Sequence, residues 1–325
     1  MSSRIGITFP TLPYTTRPSF GITYPRPLIS NRVEVLRTHI LNSILALISG
    51  KTPSSTTMKL LNGSGTDINP DVITARLNMT GRWMDINASG AYQDQGNCVL
   101  ISPQHTLTAA HAYGNGTPGD TTAFRGTDGS IHIRVTKSVI QLAGGPSYGS
   151  DTKLCLLDNY LNGVYVGPLP SSVTPFKILP ANYAQYLVNI NTGNQLPMII
   201  NSGHNLQLGG EETIILSGSY NLNTNIAGTD GFMYNYPCYL PSPIAEWSKG
   251  STGYAIGGDS CHPSWVLING ELILMGMQLY TVGTLQYGNR VDEIQTVMNT
   301  LSDAAGAGYS RQTIGTADLS RFYHI

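Results

Sequence analysis

The chain has 325 residues, a mass of 34.9 kDa, and a charge inventory of 18 basic and 19 acidic side chains that leaves a net charge of −1. So few charges, near balance, exclude a basic nucleic-acid binder held by phosphate neutralisation, and no run of about 18 apolar residues exists to span a membrane. An apolar share of 41% with 18 tyrosines supplies material for a core, while Gly 36 and Pro 19 point to many short strands joined by turns.

Residues 1–30 form a Pro- and aromatic-rich arm in which Gly6-Ile7-Thr8-Phe9-Pro10 returns as Gly21-Ile22-Thr23-Tyr24-Pro25. Its prolines forbid a helix and favour an extended path. It has no basic segment followed by an apolar run, so no secretory signal peptide is expected. Asn31 to Ser49 reads as a helix, because Val33, Leu36, Ile40, Ile44 and Leu47 recur at three- and four-residue spacing before Gly50. Lys51 to Pro70 reads as a linker. From residue 86 short apolar runs follow: Val99–Ile101, Ile131–Val135, Val164–Val166, Leu187–Ile190, Met198–Ile200, Thr213–Leu216, Trp265–Ile268 and Leu272–Met277. Such spacing suggests a sandwich or a pair of barrels. A second helix is expected over 289–303, and 304–325 reads as a tail. The four cysteines, Cys98, Cys155, Cys238 and Cys261, lack metal-ligand spacing and are too sparse for a disulfide scaffold.

Two segments carry chemistry. One runs Gly96-Asn97-Cys98-Val99-Leu100-Ile101-Ser102-Pro103 and reaches Leu107-Thr108-Ala109-Ala110-His111; the other is Gly257-Gly258-Asp259-Ser260-Cys261-His262-Pro263. Between them, Ser150-Asp151-Thr152-Lys153-Leu154-Cys155 sets an Asp at the head of an apolar strand. In this order the three resemble the trypsin/chymotrypsin-like serine proteases, whose nucleophile follows a His and an Asp in the chain. The resemblance covers residues 86–304. It implies an all-β fold of two Greek-key β-barrels with a C-terminal helix, preceded by an arm, helix and linker over 1–85 and followed by a tail over 305–325.

The resemblance further implies a serine endopeptidase acting on a peptide or protein substrate, with no metal and no cofactor. A Ser hydroxyl needs a base to remove its proton during attack, which assigns Ser260 as nucleophile and His111 as base. Asp151 would hold the imidazole in the correct tautomer. Gly258 and Ser260 would supply backbone N–H donors to the oxyanion. Tyr254 would floor the primary pocket, with Leu279, Tyr280 and Thr281 beside the substrate; that floor favours a small or medium apolar side chain.

The motif departs from the family in four places. Cys261 and His262 replace two glycines after the nucleophile, no activating N-terminal Ile-Val-Gly-Gly precedes Gly96, Leu279 stands where a Ser hydroxyl usually supports the Asp, and Tyr254 replaces an acidic pocket floor. Cys98 and Cys261 fall on segments that pass close together in that fold; they read first as small buried apolar residues, with contact, and a disulfide beside the active site, as the alternative. The competing expectation is a structural or interaction protein, such as a virion component, that keeps the fold and engages neighbouring chains through its arm. The location is left open between virion-associated and extracellular.

Overall fold

The computed structural model describes residues 29–51, 59–61, 82–85, 98–111, 116–126, 128, 130–143, 151–180, 196–202, 212–220, 232–236, 263–280, 283–286 and 290–322. Helix α1 (Ile29–Ile48) starts two residues before the expected Asn31 and buries Leu36, Ile40, Ile44 and Ile48, one residue per turn. β1 (Lys59–Leu61), inside the expected linker, is instead a strand, antiparallel to a later one. β2 (Arg82–Asp85) likewise lies ahead of the boundary drawn at 86. It is followed by β3 (Cys98–Ser102), β4 (His105–Ala109), β5 (Thr121–Arg125), β6 (Ile131–Gln141) and β7 (Thr152–Leu157).

β2 to β7 close a barrel in the order β2-β3-β4-β7-β6-β5. β2 bridges β3 and β5, so the barrel takes in Arg82–Asp85, just ahead of residue 86. A short hairpin, β8 (Tyr160–Leu161) and β9 (Val164–Tyr165), turns through Asn162 and Gly163, both at positive φ. Asn-Gly meets that requirement at low steric cost.

The second group comprises β10 (Leu196–Ser202), β11 (Glu212–Tyr220), β12 (Phe232–Tyr236), β13 (Pro263–Ile268), β14 (Glu271–Tyr280) and β15 (Gly283–Gln286). With β1 on the edge of β11 they make a seven-stranded sheet, curled so that β12 pairs with both β15 and β11. Its strand pairs follow the circuit of the barrel. In each group the first strand pairs with the second, the second with the third, the third with the sixth, the sixth with the fifth, the fifth with the fourth and the fourth with the first. The expected strand over Leu187–Ile190 lies outside the described residues.

The burial pattern explains why β3 and β7 read as continuous apolar runs. Val99 and Ile101 face a core shared with the second sheet, whereas Leu100 faces the barrel interior with Phe124, Leu157, Leu169 and Val173. Strands covered on both faces lose the polar alternation of a half-exposed strand. The shared core also takes in α1, Trp265 and Leu274, and helix α2 (Val291–Ala305) through Ile294, Met298 and Leu301. The segment after α2 is no loose tail. Ile314, Leu319 and Phe322 are buried, and Thr316 bridges to Ile178. Burying each large apolar side chain contributes roughly 1.5–3 kcal/mol, which outweighs the irregular sequence spacing.

Candidate active site

The register of two neighbouring strands brings His111 and Asp151 together. β4 ends at Ala109, which pairs with Thr152 at the start of β7. One step on, the Ala110 N–H donates to the Asp151 carbonyl at 3.0 Å. His111 therefore leaves one strand where Asp151 enters the other. The Asp151 carboxylate accepts from the His111 backbone N–H through Oδ1 at 2.8 Å and from ring Nδ1 through Oδ2 at 2.5 Å. Main chain and ring are thus held by one group.

The His111 side chain is 45% exposed and that of Asp151 16%. The hydrogen bond to Asp151 raises the His111 pKa above the ordinary value; partial burial opposes that, and the carboxylate charge reinforces it. A neutral ring donating through Nδ1 carries its acceptor lone pair on Nε2, the atom a general base needs.

The backbone five residues beyond His111 comes down on the barrel wall. At Gly116, with φ +63, an added Cβ would sit 2.6 Å from Cys155 Sγ and 2.7 Å from Thr108 Cγ2. Only glycine fits so close an approach, and Thr108 belongs to the strand that presents His111. Asp120 steadies the same loop by accepting from the Thr117 N–H at 2.7 Å. Burial raises the Asp120 pKa, against the backbone hydrogen bond from Thr117 and the charge of Lys153.

No protein-family model matches the chain, and no curated protein sequence matches it. Among solved structures it is similar to a mutant of human heparin binding protein, with a TM-score of 0.44 and 15% sequence identity, over 68% of this chain and 93% of that one.

Of the residues expected at the site, His111 and Asp151 stand in contact. Asp128 and Asp158 are engaged elsewhere: Asp128 accepts from the Ser130 N–H at 3.0 Å, and Asp158 accepts from the Tyr309 hydroxyl at 2.6 Å and the Tyr160 N–H at 3.0 Å. Ser260, Gly258, Tyr254 and Thr281 lie outside the described residues, as do Asp259, Cys261 and His262, and with Cys261 both readings of the Cys98–Cys261 pair. Leu279 and Tyr280 end β14, where Tyr280 pairs with Gly283; their side chains are outside the described residues. Among the described residues no three His, Cys, Asp or Glu side chains converge to hold a metal. No helix among them is long and apolar enough to cross a membrane.

Sequence reasoning did not single out Gly116. The signal was a lone glycine in Asn115-Gly116-Thr117, indistinguishable from any turn until the packing beneath it is seen.

Proposed function

We propose that the chain is a serine endopeptidase with a two-barrel, trypsin-like body, in which His111, Asp151 and Ser260 act as a triad. The observation that carries this reading is the two-point grip of Asp151 on His111 at the adjoining ends of β4 and β7. The Gly-Asp-Ser segment, three residues ahead of β13, supplies the nucleophile in the proposal. The shared pairing circuit of barrel and curled sheet supports two barrels of one design.

In the proposed reaction Ser260 Oγ attacks the scissile carbonyl carbon while its proton passes to His111 Nε2. Asp151 stabilises the resulting imidazolium. The backbone N–H groups of Gly258 and Ser260 receive the oxyanion, each such donor being worth about 3–4 kcal/mol of barrier. The imidazolium then protonates the leaving amine and an acyl-enzyme remains. Water, deprotonated by His111, attacks the ester, and collapse returns the proton to Ser260. Tyr254, Leu279, Tyr280 and Thr281 would line a pocket for a small or medium apolar side chain.

A second reading, a structural or interaction protein built on the same fold, is favoured by Cys261 and His262 in place of the glycines that let the nucleophile turn pack tightly. Labelling with a fluorophosphonate separates the two, because the probe needs an activated serine, a competent base and oxyanion donors together. The enzyme reading requires labelling of the full chain that disappears in Ser260→Ala. A folded but unlabelled wild-type chain would overturn the enzyme reading.

A further inference from the structure

Helix α2 packs on the barrel, its head linked to the start of β7 beside Asp151 and its far end to the start of β4. At its head, Arg290 is 5% exposed. Its Nε and Nη2 donate to Glu293 Oε2 at 2.8 Å and Oε1 at 3.1 Å, and Nη2 also donates to the Ala143 carbonyl at 2.9 Å. Ala143 follows Leu142, whose N–H donates to the Thr152 carbonyl at 2.8 Å, and Thr152 adjoins Asp151. At the other end of the helix, Ser302 Oγ lies 3.3 Å from His105 Nε2, while His105 Nδ1 meets Ser102 Oγ at 2.7 Å. His105 opens β4, which runs up to His111. Burial holds the pKa of His105 down to about 4, so the link is made by a neutral ring.

α2 follows β15 in the chain and shares a core with β13 through Ile294, Met298 and Leu301. It therefore spans from the sheet whose strand Ser260 precedes to the barrel that carries His111. We propose that Arg290 is a positioning residue: by gripping Ala143 and Glu293 together, it fixes the chain at Leu142–Ala143, which is bonded to Thr152 beside Asp151, and so keeps Asp151 aimed at His111. The role in catalysis rests on the serine-protease reading; the effect on the His111–Asp151 bond does not.

The chemistry at Arg290 suits that task. A planar guanidinium can hold a carboxylate through two nitrogens and still direct a proton at a carbonyl, which a lysine ammonium cannot do with the same geometry. At 5% exposure the group has little water to substitute for either acceptor, so the donor directions are set by the protein. Asp292 and Glu293 in the first turn also favour the helix dipole, so a plain stabilising role must be told apart from a positioning one.

The test follows the His111 ring by NMR titration in the full chain, in wild type, Arg290→Lys and Ile294→Val, with thermal melting alongside. Ile294 is buried in the same helix and has no polar side-chain atom to bond Ala143, so Ile294→Val reports general loosening of α2. We expect the His111 pKa to fall toward the ordinary histidine value in Arg290→Lys and to stay at the wild-type value in Ile294→Val, although both melt earlier. Fluorophosphonate labelling should slow in Arg290→Lys by up to about a hundredfold, the scale on which a displacement of about 1 Å costs rate. A wild-type titration in Arg290→Lys, or an equal shift in both variants, would overturn the positioning role. Failure of the wild-type chain to label would remove the protease reading while the titration still decides what Arg290 does.

Discussion

Replacing Asp151 with Asn separates geometry from charge at the site. The carboxylate accepts two hydrogen bonds, from the His111 backbone N–H at 2.8 Å and from Nδ1 at 2.5 Å. An Asn side chain keeps one acceptor oxygen. With that oxygen on the backbone N–H, the amide NH2 faces Nδ1 and forces the ring proton to Nε2. The base then offers a donor where it needs a lone pair. In serine proteases with a Ser-His-Asp triad the same exchange lowers turnover about 10⁴-fold. At 1.36 kcal/mol per tenfold that is about 5.4 kcal/mol of barrier. Stability should change far less, by about 0.5–1 kcal/mol, because a 45% exposed His111 leaves the pair strongly screened.

The sign with pH follows from the raised folded-state pKa of His111. Such a group contributes stability that is fully present below the unfolded value of about 6.5 and is lost as pH rises through the folded value. The melting difference between wild type and Asp151→Asn should therefore be larger at pH 5.5 than at pH 9. Fluorophosphonate labelling should fall by about four orders of magnitude at pH 7. A melting difference independent of pH, or labelling within tenfold of wild type, would refute the reasoning.

Three further substitutions probe the frame around the site. Ile40→Ala removes a fully buried side chain of α1 and should cost about 2–5 kcal/mol, lowering the melting temperature by many degrees, whereas Val35→Ala on the exposed face should stay within about 0.5 kcal/mol. Equal, small effects at the two positions would show that α1 is not part of the shared core. Gly116→Ala should cost about 1–3 kcal/mol, since its Cβ would collide with Cys155 and Thr108 at a positive φ, and should slow labelling as well. An unchanged melting curve would contradict the close approach.

The parts of the fold that declare themselves in the sequence are those where local pattern and tertiary burial agree. Leu36, Ile40 and Ile44 sit at helical spacing and lie on the buried face of α1. The runs at Val99–Ile101 and Trp265–Ile268 are strands buried throughout. Asn269-Gly270 between two apolar runs is a hairpin turn with both residues at positive φ. β1 and β2 are short and embedded in Gly-, Asn- and Thr-rich chain, so nothing local marks them; pairing with β11 and with β3 and β5 makes them strands. Ile314, Leu319 and Phe322 follow no period, and only the cavity they fill shows that the C-terminal segment belongs to the core.

At the site, His111 and Asp151 are legible because order and strand context restrict the choice. Asp128 and Asp158 offer the same functional group, yet their hydrogen bonds go to Ser130 and to Tyr309. Arg290 is invisible to motif reading because one of its partners is the carbonyl of Ala143, which any residue could supply.

Mapping the fluorophosphonate adduct by mass spectrometry of the digested full chain tests the central claim most directly. The account predicts a single modified residue, Ser260, with the modification abolished in His111→Ala. No adduct on the folded protein, or an adduct on another residue with Ser260 untouched, would contradict it.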